Sequence, residues 1–122
     1  MATSTMQVEL HPAEQAVGAG QPVAVRVDVL NTSPVSDAYR VRVLGLDPAW
    51  VETDPASLSL FPGATGSITA VINLPERFAA GTHRLSVQVY SERDEREYEL
   101  AELRLHVSEV ERLDARLEPP VL

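Results

Sequence analysis

Asp47 to Pro75 reads DPAWVETDPASLSLFPGATGSITAVINLP, and the reading of this stretch decides the fold. A short alternating run, Leu58-Ser59-Leu60, ends at Pro62-Gly63, and a second run from Ile68 to Leu74 ends at Pro75. Proline presets φ and glycine supplies φ > 0, so the order is strand, tight turn, strand. Asp47-Pro48 and Asp54-Pro55 are breakers, because the residue before a proline avoids the helical region. Trp50, in the connection before these strands, is expected to cap one end of a core. No group in the stretch looks chemical.

The same period continues on both sides. Val23, Val25, Val27 and Val29 alternate with Ala24, Arg26 and Asp28, the pattern of a half-buried strand over Pro22 to Leu30. Val8 and Leu10 form a first short strand stopped by Pro12, with Ala16-Val17 continuing it after a bend. Tyr39, Val41 and Val43 form a third strand, Leu85, Val87 and Val89 a sixth, and Tyr98 to Val107 a seventh. The last one changes phase: Tyr98 and Leu100 have one parity, Leu103, Leu105 and Val107 the other. A β-bulge near Ala101-Glu102 would restore a single buried face. With turn signals between strands and no long helix-period segment, the pattern predicts an all-β fold, an immunoglobulin-like antiparallel β-sandwich of about seven strands. The chain has no cysteine, so this sandwich has no disulfide, and thiolate metal sites are excluded.

The domain reading is a flexible N-terminus over residues 1–7, the sandwich over 8–107, and a tail over 108–122. The tail reads as a helix with a Ser108/Glu111 capping box, or as a strand in which Leu113, Ala115 and Leu117 alternate. Val8-Glu9-Leu10-His11-Pro12 aligns with Ala115-Arg116-Leu117-Glu118-Pro119. The tail is therefore read as a linker or as the start of a second, tandem copy.

At 122 residues and 44% apolar content there is one domain with a real core, and its few aromatics make that core aliphatic. The formal charge of −8, with the cations scattered among acids, argues against nucleic acid as a partner. No stretch reaches the ~20 apolar residues that span a bilayer, so membrane insertion is not expected. The N-terminus shows no signal peptide, which places the protein in the cytoplasm; the cell surface is the alternative if the natural start has been replaced.

The three histidines, His11, His83 and His106, show no HxH, HxxxH or HExxH spacing, and no metal or other cofactor is expected. Asp37, Asp47 and Asp54 are loop acids whose clustering at one end would be needed for a calcium site. Ser57, Ser59, Ser86 and Ser108 lack a Gly-x-Ser-x-Gly elbow, and no catalytic residue is assigned. Asn31-Thr32-Ser33 matches a glycosylation sequon but reads as turn chemistry. The charged run Glu92, Arg93, Asp94, Glu95, Arg96 and Glu97 forms a hairpin tip, and Tyr90 is out of phase with the core face of its strand. Glu92 to Arg96 and Tyr90 are the candidate interaction residues, for a protein partner or self-association. Short edge strands, the first especially, offer backbone groups to a partner strand. Carbohydrate, stacked on Tyr90 and Phe78, is the alternative ligand.

Asn31-Thr32 after a Val-rich strand, Asp37-Ala38-Tyr39-Arg40-Val41, Ala49-Trp50-Val51, Pro55-Ala56-Ser57-Leu58-Ser59-Leu60, Pro62-Gly63 and Leu74-Pro75 carry a resemblance. Residues 8–107 resemble the bacterial immunoglobulin-like domains of the NEW3 (NPCBM-associated) type. That resemblance implies a non-catalytic module found in tandem in large surface or accessory proteins and beside glycosidase domains. It carries no site residues with it. The reading that results is a non-enzymatic structural or protein-interaction module, spacing or docking a larger assembly, with an accessory carbohydrate-binding domain as the alternative.

Overall fold

Val23, Val25, Val27 and Val29 are all buried on one face of a ten-residue strand, so the period-2 pattern orients that strand as expected. The computed structural model describes residues 5–18 and 20–108. The strands run in the order β1 (Met6–His11), β2 (Glu14–Gly18), β3 (Pro22–Asn31) and β4 (Asp37–Leu44), then a 3-10 turn (Pro48–Trp50). They continue as β5 (Val51–Asp54), β6 (Leu58–Leu60), β7 (Thr65–Asn73), β8 (Gly81–Ser91) and β9 (Tyr98–Ser108). They form a four-stranded sheet in the order β1-β3-β7-β5 and a five-stranded sheet in the order β2-β9-β8-β4-β6. The inner faces meet in a core of Val, Leu and Ile around the fully buried ring of Tyr39.

The strand list differs from the expected seven in two places. Ala16-Val17 do not prolong the first strand; β2 crosses to the opposite sheet and pairs with β9 in parallel, against the otherwise antiparallel ladders. Splitting the first segment between sheets lets each half cover one open edge of the core. The second addition is β5, whose four residues, Val-Glu-Thr-Asp, form a half-buried edge beside β7.

The bulge near Ala101-Glu102 is absent. Pairing of β8 with β9 runs without interruption from Gly81↔Val107 to Tyr90↔Tyr98. Parity along β9 is constant: Ala101, Leu103, Leu105 and Val107 face inward, and Tyr98 and Leu100 face solvent, 47% and 51% exposed. The outward placement of two apolar residues, rather than an extra residue, explains the phase change.

The Pro62-Gly63 turn forms as expected. Ala64 N–H donates to Phe61 O at 3.0 Å and Gly63 has φ 79°, the positive value that favours glycine at the third position of a type II turn. Asn31 holds this turn from below. Its buried amide donates from Nδ2 to Val35 O (2.9 Å) and Leu60 O (3.1 Å), and Oδ1 accepts from Ser33 N–H (2.9 Å). Gly63 N–H donates to Asn31 O at 2.8 Å. The 3-10 turn is capped by Asp47, whose carboxylate accepts from Ala49 N–H at 2.9 Å. Trp50 packs on the core from the end of that turn, edge-on to Phe78 with centroids 6.0 Å apart. Both readings of the tail fall on residues 109–122, outside the described residues, and so do residues 1–4. β1 itself begins at Met6, a buried residue paired with Asn31.

Candidate functional site

The charged hairpin tip between β8 and β9 is tied down rather than freely projecting. Ser91, buried at the end of β8, donates its hydroxyl to Asp37 Oδ2 (2.6 Å) and accepts from Arg93 N–H at 3.1 Å. The Asp37 carboxylate is buried at the start of β4, takes the N–H of Ala38 at 2.7 Å, and has Arg93 Nε at 3.6 Å. Glu92 N–H donates to Ala38 O at 2.8 Å, and the Glu92 carboxylate accepts the Ser57 hydroxyl from the β5–β6 connection. Asp94 and Arg96 pair through two contacts of 3.0 Å. That pairing, led by the Arg96 side-chain hydrogen bond, holds the Asp94 carboxyl below its ordinary range and pushes the Arg96 guanidinium up. Glu95 reaches Arg42 on β4 at 3.5 Å.

Arg42 in turn lies over the ring of Tyr90, 4.0 Å from its centroid, a cation–π contact. The candidate interaction residues Glu92 to Arg96 and Tyr90 therefore sit in one connected patch. Register extends that patch across the outer face of the five-stranded sheet. Arg40, Tyr90 and Tyr98 lie directly opposite one another on β4, β8 and β9, and Arg42, Gln88 and Leu100 form the next row. Phe61, 75% exposed, and Val35 are at the same end, since Leu60 pairs with Asp37 and Tyr39 with Ser91. Surface ion pairs at the tip contribute little stability, because solvent and salt screen them. Their effect is to hold charged groups beside exposed apolar ones.

Other candidates are dispersed. Asp37 starts β4 and Asp47 lies beyond its other end, so the acids weighed for calcium do not gather. Phe78 is half-buried, against Trp50 and with its ring 4.6 Å from that of His83. Tyr90 stands seven strand residues from His83, about 24 Å at ~3.4 Å per residue, so Phe78 and Tyr90 do not make one platform. His106 sits between Thr82 (Oγ1 to Nδ1, 3.0 Å) and the Glu14 carboxylate. That hydroxyl–imidazole–carboxylate row resembles a nucleophile relay in order. It lies in the open on the outer face of a sheet, joining β2, β9 and β8, where its evident role is to tie β2 to the sheet.

Two residues that matter here escape sequence reasoning: Tyr98, assigned above to the core side of a bulge, and Phe61, to which the sequence reading gives no role. An apolar residue that breaks the parity of its strand is the signal that points to Tyr98. On the opposite sheet, Glu9, His11 and Asp28 bring three ligand-type atoms within 4.8 Å of one another. Asp28 comes from another strand, so no spacing within one segment reveals the group. Among the described residues no helix is long and apolar enough to cross a membrane.

No family model matches the chain, and no curated protein does. Solved structures do match. A family 123 glycoside hydrolase from Clostridium perfringens superposes with a TM-score of 0.66 at 9% identity, covering 87% of this chain and 28% of its own. The FixG-related protein from Vibrio parahaemolyticus gives 0.66 at 11% identity, covering 87% and 99%. The chaperone DraB of E. coli gives 0.55 at 12% identity, covering 84% and 54%. The likeness is one of fold: an immunoglobulin-like β-sandwich. The chain spans about a quarter of the hydrolase and nearly all of the FixG-related protein.

Proposed function

We propose that this chain is a non-enzymatic protein-interaction module of the NEW3 type, one bead of a bacterial tandem array, that spaces or docks a larger assembly. Its docking surface is the hairpin-tip end of the five-stranded sheet. The observation that carries this reading is the outward placement of Tyr98 and Leu100 beside Tyr90, Arg40 and Arg42. Tyr and Arg are the side chains that anchor protein interfaces, with large contact area and directed polar groups. The Glu92–Glu97 tip supplies a charged rim of both signs, suited to fixing register and partner choice. The protein-directed task of one fold relative, a chaperone, agrees with the proposal.

A photo-crosslinking amino acid at position 98, in the protein expressed in its native host, tests the surface. The expected result is a discrete protein adduct from position 98, and none from a control at the exposed Thr69 on the opposite sheet. No adduct at 98, or equal adducts at both positions, would refute it.

The register also supports a second reading, an accessory carbohydrate-binding domain, because the rings of Tyr90 and Tyr98 lie side by side on an open face. A glycan array decides it: binding lost in Tyr98→Ala supports a sugar platform, and silence of the native chain removes it.

A further inference from the structure

The geometry points to a binding site for a divalent transition-metal ion of the zinc class on the outer face of the four-stranded sheet, formed by Glu9, His11 and Asp28. This site is on the sheet opposite the proposed docking face and stands independently of that reading. Glu9 and His11 are two residues apart on β1 and share its outer face, and Glu9 pairs with Asp28 on β3. The imidazole reaches diagonally, so His11 Nε2 is 3.1 Å from Asp28 Oδ2 and 3.4 Å from Glu9 Oε1.

Those separations match the spacing a metal requires. With metal–ligand distances of about 2.0–2.1 Å, the donor atoms of a tetrahedral site are about 3.3 Å apart. Two edges bracket that length, and the third, between the Glu9 and Asp28 carboxylates, lies within 4.8 Å, so closing on an ion requires at most that the exposed Glu9 side chain turn inward. One imidazole nitrogen and two carboxylate oxygens favour zinc-class metals over calcium and magnesium, which prefer oxygen ligands alone.

The Asp28 carboxylate is also aimed from behind. Its Oδ1 accepts from the Ser67 hydroxyl on β7 at 2.7 Å and from Arg26 Nε at 3.0 Å, and its Oδ2, which faces His11, also accepts from Arg26 Nη2 at 3.3 Å. Hydrogen bonds that orient a ligand in this way are worth about 10–100-fold in metal affinity. Glu9 and His11 are exposed, which leaves the solvent side of the ion open to water or to a donor from another molecule. Two carboxylates and Arg26 leave one net negative charge around the site, which favours a cation.

Calorimetric titration of the full chain with Zn²⁺ in a non-coordinating buffer tests the site, with Co²⁺ absorption reporting coordination geometry. The expected result is one saturable site per chain with a tetrahedral Co²⁺ spectrum. His11→Ala should weaken binding by at least about tenfold, and Ser67→Ala, which removes an orienting hydrogen bond, by about tenfold. His106→Ala should bind as the native chain does. His11 and Ser67 are surface positions, and unchanged thermal unfolding of the metal-free variants would show that their effect is on binding alone. The proposal is overturned by the absence of saturable binding, by native affinity in His11→Ala, by loss of binding in His106→Ala, or by equal affinity for Ca²⁺ and Zn²⁺.

Discussion

Replacing Tyr39 with Phe removes one oxygen from the centre of the core and leaves the ring in place. Tyr39 is 0% exposed, and its hydroxyl has no hydrogen-bond partner among the described residues. A buried, unpaired polar group costs about 1–3 kcal/mol, and loss of packing around a missing oxygen offsets part of that gain. Tyr39→Phe should therefore stabilise the domain at pH 7 by roughly 0.5–2 kcal/mol. A domain of this size gains about 3–5 °C in Tm per kcal/mol. Alkaline pH gives a sharper signature. Burial, with the Asp37 and Glu97 carboxylates, pushes the phenol up from 10.0 to about 12. Between those values the unfolded chain releases a proton that the folded chain retains, so the unfolded state binds fewer protons and stability falls as pH rises. The stability linked to this proton is complete below pH 10 and is lost as pH approaches about 12. The Phe variant has no such proton, and its advantage should widen by about 1.4 kcal/mol per pH unit across that window. Urea unfolding of both proteins from pH 7 to pH 11.5, followed by Trp50 fluorescence, measures the difference; Tyr90 and Tyr98 are common to both and cancel. Destabilisation by more than about 1 kcal/mol at pH 7, or a difference that stays flat above pH 10, would refute the reasoning.

Val27→Asp places a carboxylate at a fully buried position between the sheets and should cost on the order of 4 kcal/mol or more, preventing folding at 37 °C. Soluble variant protein with a cooperative unfolding transition would show that the faces of β3 are wrongly assigned. In acid, the lowered Glu14 carboxyl gives a change of the opposite sign to that of Tyr39. A hydrogen bond to His106 holds it below its ordinary value of 4.5, with Arg104 helping and burial opposing. Its contribution is complete above that value and is lost as pH falls through the lowered folded value. Glu14→Gln should accordingly lower the urea midpoint at pH 7 and lower it progressively less as pH falls below 4.5; a loss that stays constant with pH would remove the ionic account of how β2 is held.

The strand positions were legible wherever one face is buried on both sides of the sequence neighbourhood, as in Val23–Val29 and Ile68–Leu74, because alternation there reports burial directly. Half-buried edges report it weakly. β5 exposes Glu52 and Asp54 and half-buries Val51 and Thr53, which leaves a pattern too short to stand out between two Asp-Pro breakers. A bulge follows only if every apolar residue of β9 faces the core. Tyr98 and Leu100 face outward, and that departure is what the docking proposal rests on. The hairpin tip and Tyr90 were recognisable from charge and parity alone. Their ties to Asp37, Ser57 and Arg42, and the meeting of His11 with Asp28, depend on which strands pair and in what register. That information is held in the packing of the whole sandwich.

Asn31 sets a choice between a glycan and a fold. The nitrogen that an oligosaccharide would occupy in the Asn31-Thr32-Ser33 sequon is the buried Nδ2 that donates to Val35 O and Leu60 O. A sugar attached there during secretion from a eukaryotic host would replace one of the two Nδ2 hydrogens, break at least one of these bonds and bring a bulky polar group beneath the Pro62-Gly63 turn. Such a host should therefore divide its product into folded, unmodified chains and modified chains retained as misfolded. For production by that route, Asn31→Asp is the wrong remedy, since it loses the donor; Ser33→Ala destroys the sequon and keeps the Asn31 donor and the Ser33 N–H bond to Oδ1, at the cost of the Ser33 hydroxyl's bonds to Asn31 Oδ1 and Val35 O.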